Sequence, residues 1–82
     1  MENLNERLVD CFARVFRELD RADIPKASMD SVGDWDSLGS LMLHTEVEEE
    51  FGIRMSLDEF DRLQSYEAIL HFLDWQSLSP GN

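Results

Sequence analysis

Apolar residues recur at steps of three and four from the start of the chain. Leu4, Leu8, Cys11, Phe12, Val15, Phe16 and Leu19 fall on one stripe, which predicts an amphipathic helix over 3–19. Asn3 or Asn5 is suited to cap its start. The periodicity then stops. Residues 20–35 hold Pro25, Gly33, two serines and four Asp, and no helical or strand period fits them. This segment reads as a loop, with Ile24, Met29, Val32 and Trp35 as its anchors to the core. Connections of that length are usually functional or disordered.

A second helix is expected to begin near Asp36 or Ser37 and to end at Phe51. Asp36 is a suitable N-cap, and Gly52 suits the left-handed residue just past a helix end. Ser40, Leu43, Val47 and Phe51 share one face; Leu38, Leu41, Met42 and Thr45 share a neighbouring one. The helix is therefore apolar over a wide arc in its first half and acidic in its second. Ser56-Leu57-Asp58-Glu59 is a capping-box pattern, predicting a short helix through Leu63. Ser65 is placed to cap a last helix carrying Tyr66, Ile69, Leu70 and Leu73 on one stripe. Ile53-Arg54-Met55 is too short to count as a strand. Residues 77–82, with Pro80 and Gly81, read as a frayed tail on a single domain spanning 1–76. The expected architecture is all-α: a small four-helix bundle of three longer helices and one short one, with a long first loop.

Composition narrows the function. At 82 residues and 43% hydrophobic content the chain can build one compact core and no second module. Eighteen acidic against seven basic residues give a formal charge of −11, which argues against nucleic acid or an anionic membrane as partner. The charge is uneven. Residues 1–26 hold six acids and five bases, whereas 27–53 hold seven acids and no Lys or Arg. The acidic stretch reads either as a solvated face or as a docking face that steers a basic partner. No apolar run is long enough to span a bilayer, and the start lacks a signal-type apolar stretch. One cysteine cannot form an internal disulfide, so the expected setting is a reducing cytoplasm, with the protein a monomer. Cys11 lies on the first apolar stripe and reads as a small buried hydrophobe rather than a reactive thiol.

Several catalytic and metal-binding constellations fail on geometry. Ser37 and His44, seven residues apart on one helix, stand about 10.5 Å apart at a rise of ~1.5 Å per residue, beyond the contact a nucleophile and its base need. His44 and Glu48 are at i, i+4, but two ligands make a poor metal site and a surface pair is the better reading. A calcium-loop reading from Asp34 fails at Leu38 and Thr45, where carboxylates or similar oxygens are needed. No glycine-rich phosphate cradle is present. The chain reads as a non-enzyme.

One serine remains in an informative position. Ser37 follows the long loop and opens a helix, where first-turn amides lack intrahelical partners and the macrodipole is positive. A phosphate ester there would be favoured by ~0.3–1 kcal/mol. The plainer reading is that Ser37 only helps cap the helix. Its neighbours shift the balance. Asp34-Trp35-Asp36-Ser37-Leu38, then Leu41, Leu43 and Glu48-Glu49-Glu50-Phe51-Gly52-Ile53, resembles the acyl carrier protein family. There Asp-Ser-Leu opens a helix that closes on an acidic run and Phe-Gly-Ile or similar. The resemblance covers nearly the whole chain, including Ser65-Tyr66-Glu67-Ala68-Ile69 in the expected order.

The resemblance implies that Ser37, preceded by Asp36, is esterified by 4′-phosphopantetheine from coenzyme A. A separate phosphopantetheinyl transferase would supply base and metal, and the arm's thiol would carry acyl groups as thioesters. Leu38, Leu41, Met42, Thr45, Glu46, Glu48 and Glu49 would dock acyl-loading and acyl-processing enzymes that carry basic patches. Such contacts speed encounter more than they tighten binding, which suits a shuttle. Two departures stand out. Trp35 replaces the usual glycine two places before the serine, and Gly39 and Met42 replace usual acids. They point away from housekeeping fatty-acid synthesis and toward discrete carriers of specialised biosynthetic pathways. An aminoacyl or peptidyl carrier, or an unmodified acidic adaptor, are the alternatives.

Overall fold

The computed structural model describes residues 3–78. In chain order the elements are α1 (Leu4–Val15), a 3₁₀ helix (Arg21–Lys26), α2 (Ser37–Phe51), α3 (Leu57–Asp61) and α4 (Tyr66–Leu78). The bundle expected from the sequence is the observed one, with the 3₁₀ helix added. Residues 79–82 of the expected tail lie outside the described residues.

The core forms where the apolar stripes of α1, α2 and α4 meet. Leu8, Phe12, Leu43, Val47, Ile69 and Leu73 are buried there, with Phe60 of α3 closing one end. Such burial contributes about 1.5–3 kcal/mol per large side chain. Phe12 is the hub of an aromatic cluster. Its ring centroid lies 5.3 Å from Trp35 and 5.2 Å from Tyr66, both near edge-on, and 5.9 Å from Phe16. Edge-on contacts of this kind add about 0.5–1.5 kcal/mol beyond area burial.

Helix α1 is four residues shorter than its stripe. Asn3 caps it in a capping box with Glu6. Phe16 leaves helical geometry at φ −107°, ψ 76°, although its N–H still reaches the Phe12 carbonyl (2.7 Å). The reason is tertiary. Phe16 packs its ring 5.7 Å from Trp35, and Leu19 follows in a turn, donating to the Phe16 carbonyl. The stripe stays apolar because these residues are still packed inward, though the chain there is not helical.

The long loop is more ordered than its composition suggested. Ile24, buried within the 3₁₀ helix, and Trp35 are fully packed, while Met29 and Val32 are half-buried against the core. Pro25 is accommodated because the hydrogen bonds at the two ends of this short helix, Asp23 N–H to the Asp20 carbonyl and Ala27 N–H to the Ile24 carbonyl, do not use its nitrogen. Periodicity could not reveal the element, since Ile24 is its only large apolar residue. Beyond it, Ser28 and Ser65 form an isolated antiparallel bridge: Met29 N–H donates to the Gln64 carbonyl and Tyr66 N–H to the Ala27 carbonyl, both at 2.9 Å.

Helices α1 and α2 run antiparallel, as their ion pairs show. Arg7 Nε donates to Glu50 Oε2 at 2.9 Å and stacks 4.6 Å from the Phe51 ring; Arg14 reaches Glu46 at 2.9 Å and Glu50 at 3.4 Å. Hydrogen bonds from Arg7, then Arg14, hold the Glu50 carboxyl below its ordinary pKa. The expected capping box of α3 is present, Ser56 with Glu59, but α3 ends at Asp61 rather than Leu63. Ser65 Oγ accepts from Ala68 N–H (3.1 Å) at the start of α4, and the Tyr66 hydroxyl donates to the Asn5 carbonyl (3.0 Å).

Gly52 ends α2 at φ 64°, ψ 34°, with open space where a Cβ would stand. Gly52→Ala is therefore expected to destabilise through backbone conformation alone, by about 1 kcal/mol, read as a lower urea midpoint with an unchanged m-value.

Candidate functional site

The site is the first turn of α2 and the chain that leads into it. Trp35, 2% exposed, is wedged against Phe12 and Phe16, and its backbone N–H donates to the Val32 carbonyl (3.0 Å). One residue on, Asp36 is extended, and its Oδ1 accepts from Gly39 N–H at 2.9 Å. Asp36 is thus the cap. Ser37 is exposed, and its hydroxyl makes no hydrogen bond among the described residues. The reading in which Ser37 serves only as a cap loses its basis, because its neighbour does that work.

A depression of about 280 Å³ opens beside Ser37, lined by Met29, Ser37, Ser40, Leu41, Leu57 and Asp61. A free hydroxyl at a helix start, next to such a space, suits a phosphate-linked arm. The first-turn dipole would favour a phosphate there, and the depression beside it is lined by both apolar and polar groups. Asp36 adds a negative charge nearby, but its oxygen is engaged with Gly39.

Leu38, Leu41 and Met42 continue outward from Ser37 on the exposed side of α2, at 66%, 47% and 47% exposure, and Leu57 of α3 is exposed as well. Thr45 extends the strip, its hydroxyl donating back to the Leu41 carbonyl (3.1 Å), and Glu49 is exposed beyond it. Two of the acids expected on this face belong elsewhere. Glu46 turns toward α1 and pairs with Arg14. Glu48 accepts the Met55 N–H at 2.9 Å. Both hold the fold together, so the face beside Ser37 is more apolar than the acidic run suggested.

His44 is buried. Its Nε2 donates to the Met55 carbonyl at 2.8 Å, stands 3.5 Å from Glu48, and its ring meets Phe60 edge-on. His44 and Glu48 grip Met55 from two sides and fix the chain entering α3. With His44 buried and Glu48 half-buried, this is not the surface pair expected from the sequence. No group of three or more candidate metal ligands occurs among the described residues.

From the sequence Met29 reads as a core anchor, Ser40 as part of a helix face and Leu57 as part of a capping box; neither these nor Asp61 is expected beside Ser37. An exposed Leu57 directly after a capping serine was the one available signal. The placement of Met29 depends on the Ser28–Ser65 bridge and could not be read locally.

The family model described as "Phosphopantetheine attachment site" matches residues 6–73. A D-alanyl carrier protein of Streptococcus uberis is 37% identical over 59 residues, covering 72% of this chain and 73% of that protein. No solved structure matches the chain.

Cys11 sits fully buried in α1, its Sγ 3.9 Å from the Glu46 carbonyl, and burial pushes its thiol up to about 12. At pH 8 the folded protein therefore holds almost no thiolate at this position. Iodoacetamide at pH 8 is expected to leave Cys11 unlabelled in the native protein and to label it fully in denaturant. Rapid native labelling would contradict the packing.

Proposed function

The chain belongs to the phosphopantetheine attachment site family, a carrier with a covalently attached phosphopantetheine, and from that premise we propose that Ser37 bears the arm. One observation carries this reading: Ser37 is the exposed, uncommitted hydroxyl at the capped start of α2. The Ser37 oxygen would attack the pantetheine-bearing phosphorus of coenzyme A. A bond from the serine oxygen to phosphorus would form, the pyrophosphate P–O bond would break so that adenosine 3′,5′-bisphosphate leaves, and the serine proton would pass to a base of the transferase. Once attached, the arm supplies a terminal thiol that holds the cargo as a thioester.

The chain's own part is binding and presentation, with no catalysis of its own. Trp35 and the Asp36 cap hold the attachment point outward. Leu38, Leu41, Met42 and Leu57 offer an apolar contact for the transferase and for the enzymes that load and process cargo. Glu49, with Asp58 and Asp61 of α3, supplies exposed acids for basic groups on those partners. An arm tethered at a fixed point raises the cargo's effective concentration at each docked enzyme. No helix among the described residues is long and apolar enough to cross a membrane.

For the cargo, a specialised pathway is the reading we favour over housekeeping fatty-acid synthesis, on the Trp35, Gly39 and Met42 departures. The likeness to a D-alanyl carrier protein favours, within that, a small aminoacyl group. Incubating the modified protein with candidate adenylating enzymes and either amino acids or acyl acids separates the two.

Incubation with a broad-specificity transferase and coenzyme A is expected to add one phosphopantetheine mass to the protein and none to Ser37→Ala. Since Ser37 is not the cap, Ser37→Ala should stay within about 0.5 kcal/mol of the unmutated stability. Full modification of Ser37→Ala would refute the assignment. Separately, Met42→Lys is expected to raise KM for partner enzymes severalfold while the melting temperature stays nearly unchanged. A large drop in melting temperature would mean that Met42 is a packing residue instead.

A further inference from the structure

Gly39 is the second residue after Ser37, and its environment is unusual. A Cβ built there would stand 2.1 Å from the backbone oxygen of Asp34, 3.2 Å from that carbonyl carbon and 3.2 Å from Phe16 Cε1. The glycine is not there for backbone conformation, because the one positive φ among the described residues belongs to Gly52. Nor does the helix gain from it, since alanine is the better helix former. What Gly39 permits is close approach. The Asp34 carbonyl lies flat against the first turn of α2 where any side chain would block it.

The consequence reaches Ser37 through the chain between them. Asp34 touches Gly39 through its carbonyl, and Asp36 touches it through the cap to Gly39 N–H at 2.9 Å. Trp35, between the two, is fixed on the other side by Phe12 and Phe16. The segment entering Ser37 is therefore gripped at three successive residues. The Ser37 hydroxyl makes no hydrogen bond among the described residues, so its position follows from this backbone.

We infer that Gly39 is a positioning residue for attachment at Ser37: its bare Cα lets Asp34, Trp35 and Asp36 lock onto the first turn of α2, and that lock presents the hydroxyl to the transferase in a reactive position. The inference rests on the assignment of Ser37 as the attachment residue. An alanine at 39 must move the Asp34 carbonyl by about 1 Å to reach a tolerable contact, and misplacement on that scale lowers reaction rates by as much as about a hundredfold. Leu38, Leu41 and Met42 are exposed and are not among the groups that an added Cβ at Gly39 would meet, so the proposed docking strip keeps its surface. The effect belongs in kcat rather than in KM.

The test measures transferase kinetics by intact mass on four proteins: unmutated, Gly39→Ala, Trp35→Phe and Leu73→Ala. Leu73 is buried on α4 and serves as a control for general destabilisation. All are assayed at a temperature where circular dichroism shows them folded, and amide hydrogen exchange is followed over 34–39. Gly39→Ala is expected to lower kcat about tenfold or more with KM within twofold, and to lose exchange protection over 34–39. Trp35→Phe should show the same signature more weakly, and decides the matter should Gly39→Ala not fold. Leu73→Ala should keep kcat near the unmutated value. A kcat for Gly39→Ala, or in its absence for Trp35→Phe, no lower than that of Leu73→Ala overturns the inference while leaving Ser37 as the attachment residue. Failure of the unmutated protein to be modified overturns both.

Discussion

The seat of the Trp35 indole governs the arrangement. A large ring wedged against Phe12 and Phe16 fixes the exit of a long, polar, otherwise weakly patterned loop. The indole Nε1 finds no partner among the described residues, and leaving such a donor unpaired costs about 1–3 kcal/mol. The fold tolerates that cost because the ring does two things at once. It fills the end of the core beyond α1, and it leaves the next residues no choice of path. Asp36 then caps α2, and Ser37 emerges into solvent at a helix start. The exposed position of Ser37 thus follows from packing just upstream, with no side-chain network of its own among the described residues.

The acidic residues divide by role, which explains how so charged a small chain stays compact. Glu46 and Glu50 meet Arg14 and Arg7 across the antiparallel α1–α2 contact, so much of the basic content of the first helix is matched to the second. Glu48 joins His44 in holding Met55, and through it the start of α3. Exposed ion pairs of this kind add little energy individually; their value is in setting direction and register between helices. What remains outward beside Ser37 is chiefly apolar: Leu38, Leu41, Met42 and Leu57. A carrier must be recognised and released repeatedly. The proposed docking strip, modest and apolar with a few acids at its margin, would meet that need better than a deep interlocking surface.

The sequence made legible those features whose causes are local. The Asp36 cap, the Gly52 ending and the Ser56–Glu59 capping box each depend on a few adjacent residues, and each is where periodicity and cap chemistry place it. The end of α1 was not legible, because Phe16 and Leu19 keep the helical spacing while tertiary packing turns the chain. The 3₁₀ helix had one apolar residue and so no period to detect. At the site, Ser37 stands out in the sequence by position and by its neighbours, and the structure leaves it exposed at the start of α2. The roles of Glu46 and Glu48 were not legible, since spacing along one helix cannot say which acids a facing helix will claim. Gly39 looked like a missing acid; only the proximity of the Asp34 carbonyl shows why no side chain stands there.

The most direct test is to locate the arm on the protein itself. Cleavage after Lys26 and Arg54 yields one peptide that holds Ser28, Ser31, Ser37 and Ser40 together, so fragmentation of that peptide by tandem mass spectrometry after modification discriminates among them. The phosphopantetheine mass should fall on Ser37 alone. Its appearance on Ser28, Ser31 or Ser40, or on a peptide outside 27–54, would contradict the account.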